Sequence, residues 1–399
     1  MRKPIRFLAA LSVVALVGAA CSSDSANPPA DGDGAVEKIP VTVYAQGALS
    51  GDYVALVIHG VQAAQLKFDE LNADPDFPAT ITLEQGDTGG DPENAPAVVE
   101  TVVGNPDTVA VIGPAFSGES AASGDTYEEA GIPFITQSAT NPDLSANGWQ
   151  YWYRGVANDN DQGAPIARFA ESEADSVFIV DDESEYGLGL AEVVSDTLKE
   201  DGVKEAGFEG VEAGTTDFSS VISSIESSGA EAVAYLGYVP DTANLVSQMR
   251  DAGLDIPVYS GDGSVSSDLL EVGGDSITNV FLTCPCSLSG DFLAQYNEAY
   301  PGNPVPVYAS EGYDIAGMIG EGIKAAIDGG ATSAEDIRLG IKETLDGYTL
   351  DAPYQGVAKT YAFDDVHEQD AADRAALIFL YEATPDGINQ LGNVTEVLG

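Results

Sequence analysis

Two hydroxyl-rich turns stand close together in the segment VIGPAFSGESAASGDTYEEAGIPFITQSATNPDL, Val111 to Leu144. Ser117-Gly118 follows one apolar, β-like run, and Ser138-Ala139-Thr140 follows the next. Turns of this kind could bind phosphate, host a nucleophilic serine, or hold a small polar ligand. Phosphate binding needs more than glycines. The chain has no Gly-x-x-x-x-Gly-Lys-[Ser/Thr] and no Gly-x-Gly-x-x-Gly after a strand, and Asp262 in GDGSVSS would repel a phosphate. A serine nucleophile needs a base, but His59 and His367 are the only histidines and no Gly-x-Ser-x-Gly elbow occurs. Carboxylates are so abundant that a pair means nothing without geometry. No sequence feature supports an enzyme, and neither a cofactor nor a metal is expected.

A small zwitterion fits these residues better. A free carboxylate is well held by the unpaired amides at a helix start together with a hydroxyl. Ser117-Gly118, opening a helical pattern over Glu119 to Ala130, supplies that arrangement. An ammonium needs a carboxylate and neutral acceptors, which Asp262, Ser138 and Thr140 could provide. Tyr186 and Tyr238 could form walls. Each residue also has an ordinary explanation: turn formation or capping for Ser117 and Thr140, core packing for the tyrosines, and turn chemistry for Asp262 between two glycines. Their common position beyond candidate strands raises the set above these readings.

Those strands are part of a regular alternation that begins at Ile39. The β-like runs VTVYA, ATITLEQ, TVAVIG, PFITQ, SVFIVDD, AVAYLGY, PVYSGD and NVFLTC are separated by helical patterns. The helices are expected over Val57 to Leu71, Asn94 to Val103, Glu119 to Ala130, Gly187 to Lys199, Phe218 to Ser227 and Thr242 to Ala252. Asp91-Pro92 reads as a helix cap with a first-turn proline, and Ser333-Ala-Glu-Asp336 resembles a capping box. Strand–helix alternation at this spacing implies parallel sheets. The fold class expected is α/β, with two doubly wound parallel-sheet lobes and a ligand cleft between them. In such sheets ligands sit beyond the carboxyl ends of the strands.

At 399 residues and 44% hydrophobic content the chain is long enough for two lobes with substantial cores. Its charge is extreme, 15 Lys+Arg against 65 Asp+Glu for a net −50. That surface repels nucleic acids and anionic lipid headgroups, and it reads as a solvated acidic surface rather than a binding patch. The N-terminus carries Arg2, Lys3 and Arg6, then an apolar run from Phe7 to Val17, then LVGAAC ending at Cys21. This is the form of an exported signal of residues 1–20, too short to span a bilayer comfortably. A cysteine after small residues resembles the bacterial lipoprotein box, in which the thiol of Cys21 is acylated. Residues 21–38, rich in Ser, Asp, Gly and Pro, form a flexible acidic tether. Cys284 and Cys286 in TCPCS are poorly spaced for an unstrained disulfide and are expected to be structural or surface residues, with a strained redox bridge as the lesser alternative.

The order GALSGDY … GVQAAQLKFDELNA … GDTGGDPENA … VIGPAFSGESAAS … GIPFITQSATNPDL … YRGVANDNDQG … IVDDESEYGLGLAE … AYLGYVPDTANLVSQMRDAGL … YSGDGS resembles the branched-chain amino-acid-binding proteins of ABC importers. These have the type I periplasmic-binding-protein fold. The resemblance is close over Val41 to Leu282. It implies that Ser117 grips the ligand carboxylate, and that Ser138 and Thr140 lie in the next gripping turn. It further implies that Tyr186 and Tyr238 contact the ligand, and that Asp262 faces the ammonium. Three departures touch the side-chain pocket. Gly90 and Phe116 stand where the family often has a disulfide; Tyr53 comes early, with Leu56 at the usual aromatic position; and Ala115 replaces a larger aliphatic residue. Tyr53, Leu56 and Ala115 are thus the candidate side-chain pocket. Arg154 and Asp161-Gln162-Gly163, at the presumed first lobe crossing, are expected to be structural.

The resemblance implies lobe 1 from residues 39–157 plus 285–364 and lobe 2 from 158–284 plus 365–399, joined by three crossovers. It implies a monomeric, lipid-anchored, extracytoplasmic binding protein that captures an aliphatic or branched-chain amino acid and delivers it to a membrane permease. The alternatives are a carrier of another small ligand, such as a polar amino acid, amide or short peptide, and a ligand-sensing surface receptor.

Overall fold

A computed structural model describes residues 38–302 and 304–399. The signal segment and Cys21 lie outside the described residues, as does all of the tether except Lys38.

The first sheet is built from β1 (Ile39–Gly47), β2 (Ala79–Asp87), β3 (Thr108–Ile112), β4 (Phe134–Thr136) and β5 (Trp152–Arg154), in the order β2-β1-β3-β4-β5 and parallel throughout. β3, TVAVI, is buried at every residue, as expected of a parallel strand covered on both faces. The helices α1 (Val54–Ala73), α2 (Ala95–Gly104) and α3 (Ser117–Glu129) connect these strands.

The chain then crosses to α4 (Asp159–Glu171) and builds a second sheet. Its elements are β6 (Ser176–Asp181), α5 (Glu185–Asp201), β7 (Lys204–Gly210), α6 (Ser219–Ser228), β8 (Ala232–Leu236), α7 (Asp241–Asp251), β9 (Val258–Ser260), α8 (Ser267–Gly273) and β10 (Val280–Cys284). Local sequence sets these helix ends. Ser184 caps α5 by accepting from Gly187 N at 2.9 Å, and Gly202 ends it with φ 76°, a left-handed residue that favours glycine.

Beyond β10 come α9 (Asp291–Ala299), α10 (Ala309–Asp328), α11 (Ala334–Asp346) and the small pair β11 (Tyr354–Gln355) and β12 (Thr360–Tyr361). α10 packs along α1, and α11 packs on α10 and β3, so this stretch returns to the first sheet. The crossing of α1 and α10 is tight: a Cβ on Gly312 would stand 2.2 Å from Gly60 O. Finally β13 (Phe379–Thr384) and β14 (Gly387–Asn393), followed by α12 (Val394–Val397), extend the second sheet, whose order is β14-β13-β10-β9-β8-β6-β7.

The α/β architecture with two sheets agrees with expectation, with one difference. The second sheet is mixed, because β13 runs antiparallel to β10 and β14 antiparallel to β13. A short hairpin turn joins them, and a hairpin needs no helical crossover. Cys284 and Cys286 are structural rather than surface residues, and the less expected bridge between them is present. They form a disulfide, with Cα atoms 5.0 Å apart, and both are fully buried. The chain bends at Pro285 enough to bring the Cα atoms into the usual range.

Strand order reverses between β1 and β3 in one sheet and between β6 and β8 in the other. These are the switch points where a doubly wound sheet opens a crevice.

Candidate functional site

The loops beyond β1, β3 and β4 meet the loops beyond β6, β8 and β9 across that crevice. Ser117 is the first residue of α3, 1% exposed. Its hydroxyl accepts from Asn141 N at 3.3 Å. Ser138 donates to Ala115 O at 2.8 Å. The second turn therefore donates twice to the first, once from its backbone and once from a side chain. Thr140 is fully buried, its hydroxyl beside the Asp159 carboxyl group.

Across the cleft, Asp262 opens a short 3-10 turn directly after β9 and Gly261. Its carboxylate accepts from Gln162 Nε2 at 2.7 Å and Tyr186 Oη at 3.0 Å on one oxygen, and from Tyr308 Oη at 2.6 Å on the other. The flanking glycines are there for room. A Cβ on Gly261 would stand 2.4 Å from Tyr186 Oη, and one on Gly263 would stand 2.8 Å from Gly237 O. Tyr186 leans on Tyr238 with ring centroids 4.9 Å apart, and its hydroxyl accepts from Gly263 N. So the Gly-Asp-Gly turn is more than turn chemistry: it is packed around the tyrosine that holds its aspartate.

Asp159, the first residue of α4, joins this group and has no counterpart in the expected site. It is wholly buried, with the Thr140 hydroxyl beside its carboxyl group. Its backbone N–H bonds Thr140 O at 3.0 Å, which ties it to the second hydroxyl-rich turn. Burial pushes its pKa well above the ordinary carboxylate range, and the nearby Asp262 pushes it further. Asp262 is itself pushed up by burial, against the downward pull of Tyr308, Gln162 and Tyr186. The local cation, Arg154, is already committed to Glu368. Two buried carboxylates without a counter-ion of their own make the centre of the cleft a place for a positive charge.

One wall of the cleft is apolar. Leu56, Val57, Ala115 and Phe116 face Tyr186, Tyr238, Asp262 and Tyr308 around a cavity of about 290 Å³ of free space. The cavity proper is about 20 Å³, room for about one water and well below ordinary small-molecule sites. Leu56 and Ala115 line it as expected. Tyr53 lines the adjoining pocket at the cleft mouth, with Phe116 and Tyr238 shared between the two. Where the resemblance led one to look for a disulfide, Gly90 instead makes room for the Tyr53 ring: a Cβ there would stand 2.7 Å from it. Tyr53 and Phe116 each pack edge-on against Tyr238, at 5.6 and 5.2 Å.

The cleft is closed. Asn141 Nδ2 donates to Glu185 O at 2.6 Å from one side to the other, and Tyr308 reaches Asp262. Arg154 is structural as expected, but Gln162 is not only so, since it bonds Asp262 directly. Asp159 had one signal in the sequence, a carboxylate at the first position of a helix opened by the Asn158 cap. Tyr308 had none.

Two α/β layers with switch points facing each other, closing on a buried polar chamber, define a two-lobed ligand-binding protein of the periplasmic type. The chain belongs to the periplasmic binding protein family, which matches residues 40–372. It is 31% identical over 284 residues to the leucine-, isoleucine-, valine-, threonine- and alanine-binding protein of Pseudomonas aeruginosa, covering 69% of this chain and 76% of that one. Its fold is that of the leucine binding protein LivK from Thermotoga maritima, with TM-score 0.76, 22% identity, and coverage of 88% of this chain and 98% of that one. It is likewise that of the branched-chain amino acid transporter substrate binding protein LivJ from Streptococcus pneumoniae, solved with isoleucine, with TM-score 0.75, 22% identity, and coverage of 88% and 99%.

Proposed function

We propose that this chain is the extracytoplasmic substrate-binding lipoprotein of an ABC importer, which captures a small aliphatic or branched-chain α-amino acid and hands it to a membrane permease. The observation that carries the reading is the buried acid pair Asp159 and Asp262 at the centre of the cleft, beside the Thr140 hydroxyl. A ligand ammonium supplies the missing charge and donors. Its carboxylate lies against Ser117 and the first amides of α3, where the helix dipole favours an anion. Ser138, Tyr186 and Tyr238 frame this head group, and Leu56, Val57, Ala115 and Phe116 receive the side chain. The printed specificity of the Pseudomonas relative supports an aliphatic ligand. No covalent step and no cofactor enters.

The lobes of this reading are residues 39–157 plus 285–364 and residues 158–284 plus 365–399, with a signal of residues 1–20 and a tether of 21–38. The return of α10 and α11 to the first sheet, and of β13 and β14 to the second, supports that division. A ligand touching both lobes favours the closed form through its differential contacts. The protein acts as a monomer anchored through acylated Cys21, and Cys21→Ser moves it from membranes to the soluble extracytoplasmic fraction.

Calorimetric titration with leucine, valine and alanine tests the binding reading. Ser117→Ala weakens all three to a similar degree, because the carboxylate is common to them. Enlarging Ala115 or trimming Leu56 re-ranks them, since one methylene in an apolar pocket is worth about 1–3 kcal/mol. The reverse pattern would contradict this allocation of the site.

A further inference from the structure

One wall of the chamber is Tyr308, and its setting is unusual. It precedes α10, is 3% exposed, and stands in the left-handed region at φ 58°. A residue with a Cβ is held there against its backbone preference. The close crossing of α1 and α10 fixes its position, for a Cβ on Gly60 would lie 3.3 Å from Tyr308 O. α10 belongs with the first sheet, whereas Asp262 follows β9 in the second. The 2.6 Å bond from Tyr308 Oη to Asp262 therefore spans the cleft.

That bond fixes the chemical character of the wall. An ionised carboxylate has no proton to give, so the phenol is the donor and only its lone pairs remain for the chamber. The neighbouring wall of Leu56, Val57, Ala115 and Phe116 supplies methyl, methylene and ring carbon alone. A ligand side chain lying between them meets hydrocarbon on one side and a hydrogen-bond acceptor on the other. If it is a hydrocarbon throughout, it strips water from the Tyr308 oxygen and returns nothing, and an unmet buried acceptor is costly.

Resting on the α-amino-acid reading above, we infer that Tyr308 determines side-chain specificity: the site prefers a small α-amino acid whose side chain carries a hydroxyl donor on its β-carbon over the isosteric hydrocarbon. Threonine, with one methyl for the apolar wall and one O–H for Tyr308, has this chemistry, as does serine. The ligand hydroxyl donates to Tyr308 Oη, which donates in turn to Asp262.

Threonine against valine and serine against alanine, titrated calorimetrically into wild type and Tyr308→Phe, test this directly. In wild type the hydroxyl ligand of each pair binds about five- to tenfold more tightly, the worth of one net hydrogen bond. In Tyr308→Phe, which keeps the ring and loses the acceptor, the ratio falls to unity or below. The ratio is read rather than the affinity, so a general weakening through Asp262 does not count. If that variant does not fold, wild type decides with 3-fluoroalanine, which matches serine in size but lacks the proton and is expected to bind no better than alanine. Valine equal to threonine, a ratio unchanged in Tyr308→Phe, or 3-fluoroalanine equal to serine would overturn the inference while leaving the α-amino-acid reading in place. Failure of all four amino acids to bind wild type would overturn both.

Discussion

Arg154 and Glu368 form a two-pronged ion pair inside the protein. Nε and Nη2 of the guanidinium each lie 2.9 Å from a Glu368 oxygen. The same guanidinium donates to Ala139 O and, at 2.8 Å, to Asn141 O. Arg154 closes β5, so the pair fastens the Ser138–Asn141 turn to the sheet and to the returning C-terminal chain. The turn that would hold an amino acid owes its shape to a residue that never touches the ligand.

Arg154→Met leaves Glu368 buried without its partner. The expected loss is about 3–5 kcal/mol of unfolding free energy, the usual result of breaking a buried pair from one side. Urea denaturation reads it. A loss below about 1 kcal/mol would mean that Glu368 finds water or another donor, and that the turn is held by other means.

Asp159 predicts two effects of opposite sign. Asp159→Asn removes a wholly buried acid whose ionisation is opposed by burial and by Asp262, so the empty protein melts at a higher temperature. The same change removes half of the charge that receives the ligand ammonium, so binding weakens by about 2–5 kcal/mol. Asp262→Asn weakens binding over the same range without the stability gain, because three donors already satisfy that carboxylate. A lower melting temperature for Asp159→Asn with unchanged affinity would make Asp159 a structural residue.

Glu119 gives a pH dependence with a definite sign. It is fully buried in the first turn of α3, with Thr88 donating to it, and burial pushes it from the ordinary 4.5 up to about 7. Between those values the folded protein holds a proton that the unfolded chain has released. Stability from this group is thus complete below about 4.5 and is lost as pH rises through about 7, amounting to about 3 kcal/mol in all. Thermal melts across that window should show Glu119→Gln losing less stability than wild type between about pH 5 and about pH 8. Parallel curves would remove Glu119 as the source.

Much of the site was legible because residue type and strand end coincide. Ser117, Thr140, Tyr186, Tyr238 and Asp262 each stand beyond a strand that alternation alone located. Other parts depended on contacts between segments far apart in sequence. Tyr308 meets Asp262 across 46 residues, and nothing near VPVYAS announces it. Asp159 reads as an ordinary helix-start carboxylate until its burial is known. The hairpin β13–β14 was missed because its strands are only partly buried and lack the continuous apolar runs of the parallel strands. The bridge between Cys284 and Cys286 was only the lesser alternative in the sequence, because a one-residue spacing says nothing about how sharply Pro285 lets the chain turn.

The claim that the cleft grips both ends of an α-amino acid is tested most directly by removing one end at a time. Valine, 2-methylpropylamine and 3-methylbutanoate share one hydrocarbon but present both head groups, the amine alone and the carboxylate alone. Calorimetric titration into the wild-type protein should find valine at least about thirtyfold tighter than either analogue, equivalent to about 2 kcal/mol for each lost grip. An analogue that binds as tightly as valine, or a protein that binds none of the three, would contradict the account.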